Sequence, residues 1–246
     1  LSFQSAAQRL GMNPVPYNHE TSSSKKGESL TDTIKIVSGY ADIAIIRHAQ
    51  EGVPRLAADI CDIPVINAGD GKNQHPTQTL IDLYTIQKAK GKIEGLNITL
   101  LGDLKHARTM RSLAYALSMF GANMGFISPK GLEMDEEVIS ECKKLFSANI
   151  TQSHEMQIKG ADVVYAGRVH KERFDDPYKA QKLQEEFRIS PKILEDAKEG
   201  MILMHPLPKI DEIPPEVDSS PHAHYFQQAK NGVPVRMAIL HDCLTK

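Results

Sequence analysis

The segment His75-Pro76-Thr77-Gln78 combines an imidazole, a rigid proline, a hydroxyl and a carboxamide in four consecutive residues. An apolar repeat follows it and predicts a helix over residues 77–90, with Thr77 as the N-cap. The repeat consists of Leu80, Leu83 and Ile86. Proline disfavours helical backbone in the residue before it, so we expect His75 to lie just outside the helix. A helix start presents free N–H groups and a positive dipole end, which suits a neutral His75 that donates to a polarised carbonyl or an anion.

Three arginines, Arg47, Arg108 and Arg168, each come shortly after a short apolar run that predicts a buried strand. A guanidinium is a rigid fork that pairs with phosphate or carboxylate oxygens. Any one of the three has an equally good interpretation as a surface arginine. Three of them at strand ends of one sheet system favour a ligand that carries several negative charges.

Two other segments have more than one interpretation. Residues 18–27 are polar and include Ser22 and Lys26, so this segment is either a solvated loop or a flap that closes on an anion. It lacks the spacing of a Walker phosphate loop. The segment His205-Pro206-Leu207-Pro208 has two prolines, which stiffen the backbone and remove two N–H donors. Its prolines either serve only to end the strand and begin a loop, or leave the carbonyl oxygens of Leu207 and Pro208 free to accept from a ligand amine.

The sequence disfavours several other chemistries. It has no HExxH pair and no Asp/His cluster at ligand spacing, so we predict no metal. It also lacks GxSxG, a Cys/His pairing and GxGxxG, which leaves covalent catalysis and a nicotinamide site unsupported, and we predict no cofactor. A net charge of −2, with no basic cluster longer than a lysine pair, argues against nucleic acid as the partner. No apolar run approaches the ~18 residues of a membrane helix. The three cysteines lie far apart and no signal peptide is recognised, so we predict reduced thiols in a cytoplasmic protein.

Helical and strand patterns alternate along the chain, which predicts an α/β fold with parallel sheets. The predicted helices are 1–10, 28–38, 52–60, 77–90, 107–120, 135–146 and about 222–245, and the predicted strands are 42–46, 63–66, 97–101, 123–127, 162–166 and 201–204. In open α/β sheets, ligands bind beyond the carboxyl ends of the strands. Arg47, the turn 102–106, Arg168 and residues 205–208 all follow predicted strands, so their side chains are expected to face a cleft.

Taken together, these segments closely resemble the aspartate carbamoyltransferase catalytic chains of the aspartate/ornithine carbamoyltransferase superfamily. The matching strings occur in the family's order over nearly the whole chain. The threonine of His-Pro-Thr-Gln and the His-Pro-Leu-Pro segment favour the aspartate enzyme, because the ornithine enzyme typically has cysteine at both places. The strings are Leu1-Ser2-Phe3, Lys25-Lys26-Gly27-Glu28, Arg47-His48, residues 65–71, residues 75–80, Gly102-Asp103-Leu104 with Arg108-Thr109, Arg168-Val169 with Lys171-Glu172-Arg173, residues 205–208 with Asp211-Glu212, and Pro221-His222-Ala223 with residues 225–228.

The resemblance implies two doubly wound parallel-sheet domains with an active-site cleft between them. Residues 1–76, completed by a C-terminal helix at 226–246, would form a carbamoyl-phosphate-binding domain. Residues 77–225 would form an aspartate-binding domain.

The resemblance also implies a reaction, in which the α-amino group of L-aspartate attacks the carbonyl carbon of carbamoyl phosphate. The products are N-carbamoyl-L-aspartate and phosphate, in the pathway to pyrimidines. Arg47 and His75 would be the catalytic residues, because they would polarise the carbonyl oxygen and stabilise the developing oxyanion. Gln78, Ser22 and Lys26 would complete the carbamoyl phosphate site.

The implied aspartate site has six members. They are Lys26, Arg108, Arg168, His170, Leu207 and Pro208. Arg108 and Arg168 would clamp the two carboxylates, and the carbonyls of Leu207 and Pro208 would orient the nucleophile or the carbamoyl group. Ser22 and Lys26 would reach into the site of a neighbouring subunit, which makes a homotrimer the expected catalytic unit. A regulatory chain or a dihydroorotase is the expected kind of further partner.

The chain departs from the family in two places. The family's Ser-Thr-Arg-Thr-Arg phosphate loop precedes Leu-Ser-Phe, where this chain begins, so we expect the numbered residues to continue a longer protein. His170 stands where the family has glutamine, and its imidazole either retains a hydrogen-bond donor, makes the aspartate affinity depend on pH, or indicates an altered specificity. Two alternatives stay open: a carbamoyltransferase for another amino acid, and an inactive homologue that serves as an assembly module.

Overall fold

The computed structural model describes residues 1–17, 28–169 and 177–245. They form two compact units, one joining residues 1–78 to residues 232–246 and the other comprising residues 79–231. Both units are α/β with parallel strands, which confirms the predicted fold class. The domains predicted from the sequence, 1–76 with 226–246 and 77–225, were defined by the substrate that each would bind, and they stay predictions. In the ranges that the structure describes, no helix is both long and apolar enough to span a membrane.

Helices and strands alternate along the chain. The helices are α1 (Ser2–Arg9), α2 (Leu30–Ser38), α3 (Val53–Ile60), α4 (Pro76–Lys90), α5 (Arg108–Met119), α6 (Glu136–Phe146), α7 (Pro177–Glu186), α8 (Pro191–Leu194) and α9 (Tyr225–Thr245), with a 3-10 helix at Pro215–Ser219. The strands are β1 (Ala44–His48), β2 (Val65–Asp70), β3 (Asn97–Leu101), β4 (Asn123–Ile127), β5 (Asn149–Ser153), β6 (Val163–Ala166) and β7 (Ile202–Met204).

The first unit is built on the parallel pair β1–β2. Ala44 lies opposite Val65, and after a shift in register His48 lies opposite Asp70. Helix α1 and the C-terminal part of α9 pack on one face of the pair, and α2 and α3 pack on the other. The carboxyl ends of both strands therefore lie at the same edge of the sheet.

The second unit is built on a five-stranded parallel sheet in the order β5-β4-β3-β6-β7. Alternate residues of the central strands enter two different apolar clusters, with Leu100 and Val163 in one and Leu101 and Val164 in the other. The sheet is therefore buried on both faces, as doubly wound sheets are. Its strand order places the carboxyl ends of β3, β6 and β7 side by side.

The strand predictions for 97–101 and 123–127 are confirmed with the same bounds. The predicted strand 42–46 ends too early, because β1 includes Arg47 and His48. The predicted strand 63–66 is also wrong at its end, because β2 continues to Asp70 by pairing with β1. Strand β1 was expected to be buried, yet its residues alternate between half-buried and exposed, because the pair β1–β2 leaves each strand at a sheet edge.

Two predictions about α4 are wrong. The helix begins at Pro76, so Thr77 lies in its first turn and does not cap it. The Thr77 hydroxyl oxygen is buried and has no hydrogen-bond partner among the described residues. Leu80 is 46% exposed, so the buried stripe holds Leu83 and Ile86 without it. His75 does lie outside the helix, because the proline after it fixes the helix start.

Candidate active site

The β1–β2 edge carries three of the predicted site residues. Arg47 is exposed near the end of β1, on the face opposite its neighbour His48. His75 and Gln78 are half-buried and lie at the start of α4. The Gln78 N–H donates to the carbonyl of His75 at 3.0 Å, which fixes His75 at the mouth of the helix. This edge therefore presents a guanidinium, an imidazole and a carboxamide.

A buried carboxylate shapes the turn that leads to His75. Asp70, at the end of β2, is 2% exposed and accepts four hydrogen bonds. The donors are Asn67 Nδ2 at 3.0 Å and the Gln74 N–H at 3.1 Å on Oδ1, and the Gly52 N–H at 2.9 Å and Asn73 Nδ2 at 3.0 Å on Oδ2. Burial raises the pKa of Asp70, but these hydrogen bonds outweigh it and hold the pKa below the ordinary value of 3.8. The ionised Asp70 thus ties the end of β2 to the start of α3 and to the turn before His75.

The other described site residues follow the carboxyl ends of β3, β6 and β7. Arg108 is the first residue of α5, directly after the loop that leaves β3, and Arg168 follows β6 by two positions. Leu207 and Pro208 follow β7. Because β6 lies between β3 and β7, these segments leave adjacent strands at one edge of the sheet. The structure therefore brings Arg108, Arg168 and the 205–208 segment to a common edge of the second unit.

The ends of β3 and β6 approach each other unusually closely. Gly102 has φ +124°, and a Cβ atom built on it would lie 2.4 Å from the carbonyl oxygen of Gly167. The Gly167 N–H donates to the carbonyl of Leu101 at 2.8 Å. No side chain fits between these two backbones, so glycine at position 102 sets the spacing of the segments that lead to Arg108 and Arg168.

The 205–212 loop is held by a buried histidine and glutamate. The Leu207 N–H donates to Nδ1 of His205 at 2.9 Å, so the proton of a neutral ring is on Nε2. Nε2 has no hydrogen-bond partner of good geometry among the described residues, yet it lies 3.0 Å from Oε1 of Glu212, and we treat this approach as a close electrostatic contact. Burial raises the pKa of Glu212, but the contact with His205 and the Ile210 N–H outweigh it and hold the pKa below the ordinary value of 4.5.

Leu207 and Pro208 lie on this held loop, with a cis peptide bond between them and φ +57° at Leu207. The imidazole of His205 is 2% exposed and holds the backbone of the loop by accepting the Leu207 N–H. Its position makes it a support for the carbonyl oxygens at 207 and 208.

A second acid–imidazole pair shapes the loop before Arg108. The Asp103 side chain is fully buried, and its two oxygens lie 2.9 and 3.0 Å from Nδ1 of His106. Oδ1 also accepts the backbone N–H of His106 at 3.1 Å. Asp103 therefore closes the turn from which α5 and Arg108 begin.

Three predicted site residues, Ser22, Lys26 and His170, lie outside the described residues. Sequence reasoning missed three supporting carboxylates, Asp70, Asp103 and Glu212. For Asp70 and Asp103 the available signal was a carboxylate at, or just after, the end of an apolar run, where burial requires hydrogen-bond donors. That signal indicates a buried acid but not the loop that it holds. Glu212 lies eight residues beyond the end of β7 and gave no such signal.

A surface cavity of about 480 Å³ has none of the predicted site residues in its lining, which includes Lys105, Glu133, Asp135, Gln152 and His154. Its lining mixes both signs of charge, and Glu133 lies 3.7 Å from His154. We assign no ligand to it. Within the described ranges, no group of three or more His, Cys, Asp and Glu side chains is arranged to hold a metal ion.

The two edges offer complementary chemistry. The β1–β2 edge can hold a phosphate and polarise a carbonyl through Arg47 and His75. The edge at β3, β6 and β7 can pair two guanidinium groups with two carboxylates, and its loop carbonyls can accept from an amine.

Comparison with known proteins gives a consistent result along the chain. Residues 1–88 match the family model described as the aspartate/ornithine carbamoyltransferase carbamoyl-P binding domain. Residues 94–243 match the model described as the Asp/Orn binding domain of the same family.

Curated relatives and solved structures are similar over almost the whole chain. A relative from Thermococcus onnurineus, an aspartate carbamoyltransferase catalytic subunit, is 50% identical over 98% of this chain and 78% of its own length. The catalytic subunit of M. jannaschii aspartate transcarbamoylase has a TM-score of 0.93 at 45% identity, covering 99% of this chain and 80% of that one. The Trypanosoma cruzi aspartate transcarbamoylase in complex with carbamoyl phosphate and aspartate has a TM-score of 0.90 at 34% identity, covering 97% and 77%.

Proposed function

This chain belongs to the aspartate/ornithine carbamoyltransferase family, and we propose on that basis that it transfers the carbamoyl group of carbamoyl phosphate to L-aspartate. The products are N-carbamoyl-L-aspartate and phosphate, in pyrimidine biosynthesis. The observation that carries the proposal is the common edge at β3, β6 and β7, which presents Arg108, Arg168 and the 205–208 loop. Two guanidinium groups beside carbonyl acceptors match a dicarboxylate that carries an amine.

Carbamoyl phosphate is assigned to the β1–β2 edge. Arg47 and His75 donate to the carbonyl oxygen, whose negative charge grows as the tetrahedral intermediate forms. Gln78 holds the carbamoyl NH₂ through its carbonyl oxygen. The support for this assignment is the position of all three residues at one sheet edge, with the turn before His75 held by Asp70.

Aspartate is assigned to the second unit. Arg108 and Arg168 each pair with a carboxylate, which removes the freedom of the nucleophile before attack. The carbonyls of Leu207 and Pro208 accept from the amine or from the carbamoyl NH₂. Lys26 and His170 complete this site in the proposal.

The reaction needs no covalent enzyme intermediate. The neutral amine nitrogen attacks the carbamoyl carbon, and the C–N bond forms as the carbonyl becomes an oxyanion. Collapse of the intermediate breaks the bond from carbon to the phosphate oxygen. The amine proton leaves with the phosphate dianion, so no side chain is required as a strong base.

A homotrimer in the cytoplasm is the proposed assembly. Ser22 and Lys26 are assigned to the site of a neighbouring subunit by resemblance to the family. Association with a regulatory chain or a dihydroorotase stays a prediction.

The proposal is tested by the identity of the acceptor. The full-length protein is incubated with carbamoyl phosphate labelled in the carbamoyl carbon and with L-aspartate, L-ornithine or another amino acid in separate reactions. We expect rapid label transfer to aspartate alone. Preferred transfer to another amino acid would support a different carbamoyltransferase, and no transfer by intact protein would support an assembly module.

A further inference from the structure

The second unit holds a further buried carboxylate besides those of Asp103 and Glu212. Asp82 on α4 has no exposed surface. Its Oδ2 accepts the hydroxyl of Tyr165 at 3.0 Å, and its Oδ1 accepts Nε2 of Gln228 at 2.7 Å. Tyr165 and Gln228 are fully buried as well. Burial and the neighbouring Asp82 charge raise the pKa of Tyr165 well above its ordinary value, so the phenol keeps its proton and remains a donor.

Each donor continues to a different strand end. Tyr165 is the third residue of β6, and Arg168 follows it by three positions. The side-chain oxygen of Gln228, on α9, accepts the N–H of His205 at 2.9 Å. His205 in turn receives the Leu207 N–H. The bridge Tyr165–Asp82–Gln228 therefore links β6, which leads to Arg168, with the start of the loop that carries Leu207 and Pro208.

Burial of this bridge costs more free energy than apolar packing of the same volume would, unless every member is satisfied. Each hydrogen bond here has a direction: Tyr165 and Gln228 donate to Asp82, and Gln228 accepts from His205. Such a network fixes one arrangement of the elements that it joins. The two elements fixed here are those that carry the proposed carboxylate and amine contacts.

We propose that Asp82 and Gln228 are positioning residues for aspartate, which set the spacing between Arg168 and the carbonyls of residues 207 and 208. The proposal rests on the proposed function. It concerns the aspartate site, and it assigns neither residue a role in carbamoyl phosphate binding.

A charge swap tests the bridge in the full-length protein. Gln228→Glu places a second carboxylate against Asp82 and breaks that link, while its other oxygen still accepts from His205. We expect the aspartate KM to rise about tenfold or more, because a buried hydrogen bond is replaced by facing acceptors. Adding Asp82→Asn restores the bonds to Tyr165 and to position 228, since the amide introduced at position 82 would donate to the carboxylate introduced at position 228 and accept from Tyr165. The double variant should return the aspartate KM to within about threefold of the wild-type value.

Inorganic phosphate, as an inhibitor, reports on the first unit in the same proteins. Its inhibition constant should stay within about twofold in every variant, because Arg47 and His75, the groups proposed to bind phosphate, are not members of the bridge. Gln157→Glu adds the same charge at an exposed position of the second unit and serves as the matched control. If Gln228→Glu does not fold, Tyr165→Phe removes one bond of the bridge and should raise the aspartate KM about threefold or more.

The outcomes are distinct. An unchanged aspartate KM in active Gln228→Glu and Tyr165→Phe proteins overturns the positioning role. The role is also overturned if the aspartate KM and the phosphate inhibition constant rise equally and the double variant rescues neither. The bridge would then only support the fold. Failure of the wild-type protein to carbamoylate aspartate is a separate result, which overturns the proposed function and this inference with it.

Discussion

Asp70 and Glu212 illustrate how single residues prepare the proposed site. Each carboxylate is almost completely buried and accepts from backbone N–H groups of a loop that carries a predicted ligand group. Burial raises both pKa values, but the four hydrogen bonds at Asp70, and the His205 contact and the Ile210 N–H at Glu212, outweigh it and lower the pKa. These acids therefore stay ionised near neutral pH and accept hydrogen bonds that fix the backbone of the loops. We assign them no part in proton transfer.

Replacement of Asp70 tests this role. In Asp70→Asn the amide can accept on one oxygen only, so two of the four donors lose their acceptor. We expect the free energy of unfolding to fall by about 1–3 kcal/mol at neutral pH and the KM for carbamoyl phosphate to rise. Denaturant unfolding and steady-state kinetics measure the two effects.

The pH dependence of the Asp70 effect has a definite sign. The folded pKa of Asp70 is below its ordinary value of 3.8, so its contribution is fully present above that value and is lost as the pH falls through the folded pKa. The stability difference between wild type and Asp70→Asn should therefore shrink only in strong acid. Asp59→Asn, which breaks an exposed pair with Arg55, should change neither property. An Asp70→Asn protein with the wild-type free energy of unfolding and the wild-type KM for carbamoyl phosphate would contradict the account.

At the scale of the elements, regular apolar runs were predictable and polar or edge elements were not. Strands β3 and β4 are apolar runs that end at turn residues, so their bounds follow from the sequence. Strand β5 has a single buried residue, Ile150, and α7 is polar over most of its length, so neither gives a clear period.

Local rules also failed where two of them competed. Thr77 has the residue type of an N-cap, but Pro76 occupies the first helical position and moves the helix start ahead of it. The positions of Arg108, Arg168 and residues 205–208 at strand ends were predictable, because each follows an apolar run. Their supports were not, because Asp82 meets Tyr165 and Gln228 only after β6 and α9 have packed.

The close approach of β3 and β6 gives a prediction about these elements. In Gly102→Ala the new Cβ would lie 2.4 Å from the carbonyl oxygen of Gly167, on a backbone at φ +124° that alanine rarely adopts. We expect a loss of about 2–4 kcal/mol in the free energy of unfolding and a higher aspartate KM, because the segments leading to Arg108 and Arg168 must separate.

Gly160→Ala is the matched control for this variant. Gly160 has φ +82° and open space around its Cβ position, so only the backbone cost of about 1 kcal/mol applies. Chemical denaturation of both variants compares the two costs. Equal losses of unfolding free energy in Gly102→Ala and Gly160→Ala would show that the contact with Gly167 has no separate effect.

At the scale of the whole molecule, the described recognition residues of each proposed substrate lie in one unit. The first unit carries Arg47, His75 and Gln78, and the second carries Arg108, Arg168 and the 205–208 loop. The family was predictable from the order of its motifs, and both family models match the chain as expected. Ser22, Lys26 and His170 lie outside the described residues, so their roles and the trimer stay predictions.

The most direct test of this division is a kinetic comparison of wild type with Arg108→Ala in the full-length protein. The aspartate KM and kcat/KM are measured together with the inhibition constant of inorganic phosphate. Arg111→Ala, on the same helix and paired with Asp135 at 3.2 Å, is the control. We predict that Arg108→Ala lowers kcat/KM for aspartate by about 10²- to 10³-fold, since a charge-assisted carboxylate contact is lost, and leaves phosphate inhibition within about twofold. Unchanged aspartate kinetics, or an equal loss of phosphate inhibition, would contradict the account.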